Sequence, residues 1–123
     1  MKASPLFQTL VRDAQRRIHE ISIDEVHERQ DRGEPRFEIV DVRDDDAWRA
    51  RHIPGARHLA QGVLDLEIAK AIPDTIGEVV VYGERGLQSL LAATTLLQKG
   101  YSNVSTLAGG WRQWISGGGE IEK

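Results

Sequence analysis

Apolar residues recur at helical spacing near the start of the chain, with Leu6, Leu10, Val11, Ala14 and Ile18 on one side and Gln8, Arg12, Arg16 and Arg17 on the other. This period predicts an amphipathic helix from Leu6 to about His19, the body of an N-terminal segment over residues 1–21. Ser22-Ile23-Asp24-Glu25 places Ser first and Glu three residues later. That capping-box pattern predicts a second helix ending near Gly33, with Gly33-Glu34-Pro35 as its break. Phe37 to Val42 turns to β-formers and predicts a strand ending in Asp41-Val42-Arg43. Asp44, Asp45 and Asp46 suit the first turn of a short helix reaching Ala50, where carboxylates face the positive end of the helix dipole. His52-Ile53-Pro54-Gly55-Ala56 predicts a rigid turn, and a short strand follows near His58-Leu59.

In the second half, Val63 to Lys70 predicts a helix stopped near Pro73-Asp74. Val79 to Tyr82 is a continuous apolar run, the pattern of a central parallel strand covered on both faces. From Leu87 to Lys99, Leu90, Leu91, Thr94 and Leu97 form a core-facing stripe that Gly100 closes. Val104 to Leu107 predicts another strand. Gly109-Gly110 then opens a helix on which Trp111 and Trp114, three residues apart, share a face, and Gly117-Gly118-Gly119 ends it. Strands alternating with helices in this way predict an α/β fold, a central parallel sheet flanked by helices on both faces, with its functional edge at the carboxyl ends of the strands.

Composition narrows the chemistry. The 123 residues suffice for one domain and one core, and a net charge of −3 gives no general attraction for nucleic acid or an anionic membrane. Neither is expected as a partner. With no cysteine in the chain, disulfides, thiolate metal ligands and every thiol mechanism carried by this chain alone are excluded. Met1 to Phe7 lacks the apolar core and cleavage pattern of a leader, so the expected compartment is cytoplasmic. No cofactor or metal is expected, because three consecutive aspartates on a helix point in different directions.

The run Glu78 to Ala93 takes a buried strand through a tight loop straight into a helix. Inward-turned backbone N–H groups and the positive end of the helix dipole make such a loop an anion cradle. Chemistry on this platform needs a nucleophile at the loop's first position, and that position is Gly83.

Four pieces, Asp41-Val42-Arg43, His52-Ile53-Pro54-Gly55-Ala56, Tyr82 to Ser89, and Gly100-Tyr101-Ser102-Asn103-Val104 running on to Leu107-Ala108-Gly109-Gly110-Trp111, resemble in order and spacing the rhodanese-like sulfurtransferase family. The resemblance covers roughly residues 22 to 121. Catalytic members carry a loop similar to Cys-x-x-Gly-x-Arg-Ser, whose thiolate takes sulfane sulfur from thiosulfate, holds it as a persulfide and passes it to cyanide or another thiophile. Gly86 and Ser89 match that loop, Gly83 stands where the cysteine belongs, and Gln88 stands where the arginine belongs. Arg85 is expected to replace part of the lost cation.

The resemblance therefore implies a domain lacking thiosulfate:cyanide sulfurtransferase activity, with no catalytic residue of its own. Its expected site is an anion-binding loop of Gly83, Glu84, Arg85, Gly86, Leu87, Gln88 and Ser89, supported by Asp41, Arg43 and His52. Asp41 and Arg43 are expected to pair with each other or with neighbouring loops, His52 to make an orienting hydrogen bond, and Ser89 to be a helix first-turn hydroxyl. Arg49, Arg51, Arg57 and His58 read as a solvated basic face. Expected partners are a small anion at the loop, and a protein or a second copy through the N-terminal helix. The alternative is a family enzyme acting on an unknown sulfur-containing substrate or with a partner's cysteine; a third reading keeps the fold only as a scaffold.

Overall fold

The computed structural model describes residues 5–33 and 37–123, and for Phe7, Leu10, Val11, Ala14 and Gln15 the helical backbone alone. The chain runs α1 (Pro5–Arg17), β1 (His19–Ile21), α2 (Ile23–Arg32), β2 (Phe37–Asp41), α3 (Asp45–Ala50), β3 (Arg57–His58), α4 (Leu64–Ala71), β4 (Glu78–Tyr82), α5 (Gly86–Gln98), β5 (Val104–Leu107) and α6 (Gly110–Ser116). All the paired strands are parallel, in the order β1-β5-β4-β2-β3. The strand ends that carry loops into α3 and α5 therefore sit side by side, since Asp41 registers with Tyr82.

Strand alternation divides the core between two faces. Val40, Val79, Val81 and Val104 point to one face and pack with Leu64 and Ile68 of α4 and Ala92, Ala93 and Leu96 of α5. Ile39, Val80, Tyr82 and Leu107 point to the other and pack with Val26 of α2 and Trp111 and Trp114 of α6. Helices thus cover both faces, as the alternation of elements predicts. None of the described helices is long and apolar enough to cross a membrane.

The predicted punctuation is present. Ser22 and Glu25 form the reciprocal capping box, and Gly33 ends α2 in the left-handed region at φ 64°. Asp44 caps α3 by accepting from the Ala47 N–H, with Asp45 and Asp46 in the first turn. Glu34 and Pro35 lie outside the described residues.

One boundary differs. The helix expected over residues 1–21, reaching about His19, ends at Arg17, and His19–Ile21 forms β1 on the edge of the sheet beside β5. Three residues are too few to display alternation, and only pairing with β5 reveals this strand. Ile18, assigned to the helical stripe, is instead a buried core residue leading into β1, while Leu6 of that stripe is 70% exposed. The side chains of Phe7, Leu10, Val11 and Ala14 lie outside the described residues.

Candidate functional site

The site is built at the carboxyl ends of β2 and β4. Asp41 is fully buried, and Arg43, two residues on, folds back onto it: Nε lies 3.1 Å from both carboxylate oxygens and Nη2 donates to Oδ2 at 2.8 Å. The Arg43 backbone N–H also donates to Asp41 Oδ1 at 2.9 Å. Asp41 and Arg43 are thus partners of each other, as the sequence suggested. Nη2 further donates to the Arg51 carbonyl at 2.6 Å, and the guanidinium lies over the Trp111 ring, 4.3 Å from its centroid. Burial opposes the Arg43 charge, but the bonds and charge of Asp41 outweigh it, and the pKa lies above the ordinary arginine value.

Tyr82, the last residue of β4, is buried below this pair. Its oxygen accepts the Ile53 N–H at 3.1 Å, and the Asp41 carboxylate is close enough for its charge to act on the phenol. Burial, and then the Asp41 charge, push the phenol well above the usual tyrosine range. His52 places Nδ1 2.8 Å from the Trp48 carbonyl, the orienting bond expected of it. Its ring stacks on the Trp48 indole with centroids 3.4 Å apart, and His58 stacks on the same indole at 5.0 Å. Trp48 was not singled out from sequence, although its i, i+4 spacing from His52 is the available signal. His58 also makes a 2.8 Å contact from Nε2 to the Arg43 carbonyl, and Arg57 pairs with Glu38 at 2.9 Å. Of the expected solvated basic face, Arg49, Arg51 and Arg57 are exposed, and only His58 is half-buried.

The loop from Gly83 to Ser89 is held from one side by α6. Trp111 N–H donates to the Gly83 carbonyl at 2.9 Å and Arg112 N–H to the Glu84 carbonyl at 3.2 Å. Gly110 permits this approach: a Cβ there would stand 2.7 Å from Gly83 O, and its φ of +64° itself favours glycine. A trans peptide points its N–H opposite its C=O, so carbonyls drawn to α6 turn the Glu84 and Arg85 N–H groups the other way. The Glu84 N–H meets Gln88, whose Oε1 accepts from it at 3.2 Å while Gln88 Nε2 donates to the Val42 carbonyl at 3.3 Å.

The remaining loop groups divide by exposure. Ser89 is fully buried and its hydroxyl donates to the Gly86 carbonyl at 2.8 Å, a first-turn hydroxyl as expected. Glu84, Arg85, Gly86 and Leu87 are exposed. The carboxylate of Glu84, a member of the expected anion-binding loop, lies 3.7 Å from Arg43 Nη1 and 3.9 Å from Arg112 Nε. Arg43 thus faces two carboxylates, and its charge is spent within the fold. Beside the loop opens a cavity of about 290 Å³ lined by Arg51, Glu84, Trp111, Arg112, Ile115 and Ser116.

The class of protein is defined by a five-stranded parallel sheet with helices on both faces and a strand-to-helix loop at its carboxyl edge. Residues 22–116 match the profile of the Rhodanese-like domain, and the chain belongs to that family. It is 37% identical over 76 residues to thiosulfate sulfurtransferase GlpE of Coxiella burnetii, covering 62% of this chain and 69% of that protein. With GlpE of Pseudomonas entomophila it shares 40% identity over 78 residues, covering 63% and 70%. Among solved structures, a protein of unknown function from Rhodopseudomonas palustris, described as a possible tyrosine phosphatase, superposes with a TM-score of 0.82 at 25% identity, over 99% of this chain and 98% of that one. Thiosulfate sulfurtransferase from Pseudomonas aeruginosa gives a TM-score of 0.80 at 28% identity, over 94% of this chain and 22% of the larger chain.

Proposed function

We propose that this rhodanese-like domain does not carry sulfur on a persulfide of its own and acts as a binding or regulatory module, presenting the loop from Gly83 to Ser89 to an anion or a protein partner. A cytoplasmic location is part of this reading. The observation that carries it is at the nucleophile position, where Gly83 has no side chain and the amide of Gln88 is folded against it. Covalent catalysis needs an atom that bonds to the transferred group, and backbone amides only stabilise charge. Ser89 does not substitute, because its hydroxyl is buried and committed to Gly86.

The test is a thiosulfate:cyanide assay on purified protein. Thiocyanate formation equal to that in buffer is the expected result, and turnover that follows the protein through successive columns refutes the reading. The alternative, a family enzyme completed by a partner's cysteine, draws support from the 290 Å³ cavity opening beside the loop. Under that alternative, sulfur transfer appears only when a cysteine-bearing partner is supplied.

A further inference from the structure

A Cβ built on Gly83 would stand 2.4 Å from Gln88 Oε1, 2.8 Å from Gln88 Cβ and 3.0 Å from Gln88 Cδ. The Gln88 arm therefore fills the space that a side chain at position 83 would occupy. Both ends of its amide are used: the oxygen takes the Glu84 N–H, and the nitrogen reaches the Val42 carbonyl at the end of β2. The arm thus ties the start of α5 to two neighbouring strand ends. We propose that Gln88 is a built-in plug that holds the loop closed over Gly83 and supplies, from within the chain, the acceptor oxygen for the Glu84 N–H.

Two features fit a plug better than a surface side chain in passing contact. Gln88 is half-buried between exposed Leu87 and buried Ser89, so the helix aims it inward. Its contact with position 83 also involves its Cβ, which rotation about the side chain does not remove. An external acceptor, on a small oxyanion or a carboxylate, meets the Glu84 N–H only after the arm has swung out. That consequence for ligands rests on the binding-module reading; the closure itself does not.

The closure is tested by amide hydrogen exchange on the full chain, comparing wild type with Gln88→Ala and Gln88→Glu. Glu84 N–H is expected to exchange at least about tenfold faster in Q88A, with the amides of β4 and β5 unchanged as the control for folding. Q88E keeps an acceptor oxygen and is expected to retain most of the protection. An unchanged Glu84 rate in Q88A overturns the proposal. A second measurement is steric: Gly83→Ala is expected to lower Tm by about 5 °C or more alone, and by less than half as much in a Gln88→Gly background. Equal costs in the two backgrounds also overturn it. Titration with thiosulfate separates the two readings. Loop amides that move at a tenfold lower concentration in Q88A than in wild type support the plug as a gate, and movement at equal concentrations refutes the gate. If neither protein responds while the exchange difference stands, the small-anion form of the binding reading fails and the plug is upheld.

Discussion

The Asp41–Arg43 pair sets the energetics at single residues. Both groups are nearly sealed from water, with Asp41 at 0% and Arg43 at 4% exposure, so each needs the other. Removing one partner strands a buried charge, and Asp41→Ala is expected to destabilise the domain by about 3–5 kcal/mol in urea unfolding. A loss below about 1 kcal/mol would mean that water reaches Arg43. Tyrosine ionisation gives a second check. The only tyrosines are Tyr82 and Tyr101, and burial raises the pKa of both. A raised folded pKa contributes stability that is complete below the unfolded value of about 10 and is lost as pH climbs from there toward the folded value. Ultraviolet titration is therefore expected to show less phenolate at pH 10 in the native protein than two free tyrosines would give, with Tyr82 ionising only as the protein unfolds. Native protein that titrates as a free phenol would contradict the burial of Tyr82 under Asp41.

Among the elements, legibility followed the range of the signal. The α2 cap, the α3 aspartates and the stripe of α5 announce themselves within a few residues, because capping and periodicity are local. β1 does not, since His19–Ile21 becomes a strand only through β5, more than eighty positions later in the chain. The loop's position and its glycine at 83 were plain from sequence. Gln88 folding onto Gly83, Glu84 between two arginines and Trp48 between two histidines were not, because each depends on contacts that folding creates. α1 gives the prediction at this scale. The helix lies alongside α5, and its sequence carries Phe7, Leu10 and Val11 at helical spacing. Deleting residues 1–17, which spares Ile18 and β1, is expected to lower Tm or alter the oligomeric state seen by light scattering. No change in either would show that α1 contributes nothing to packing.

At the scale of the whole molecule, the last helix governs the site. Trp111 and Arg112 hold the loop carbonyls, Trp111 covers Arg43, and the chain beyond α6 folds back so that His52 and Glu122 exchange backbone hydrogen bonds at 2.9 Å. Trp114 is pinned beneath that return, donating from Nε1 to the Glu120 carbonyl at 2.7 Å. Since the amide orientation is imposed by the backbone and α6, a sulfur restored at position 83 is expected to sit among inward N–H groups. In Gly83→Cys with Gln88→Arg, the single thiol is expected to titrate below the free value of about 8.5 in pH-dependent alkylation. A value at or above 8.5 would mean that opening the loop for a Cβ had turned the amides away.

The crowding between positions 83 and 88 also constrains the order in which mutation can travel. A lone change from Gly83 to any residue with a side chain enters a space already filled, and so begins at a disadvantage whatever chemistry the new group brings. A change at position 88 that shortens the arm relieves the contact with its amide, and glycine there relieves the Cβ contact too, yet either brings no catalytic gain of its own while position 83 remains glycine. Neither single step is rewarded for sulfur transfer, which makes this pair of residues a local ratchet against regaining a nucleophile by the shortest path.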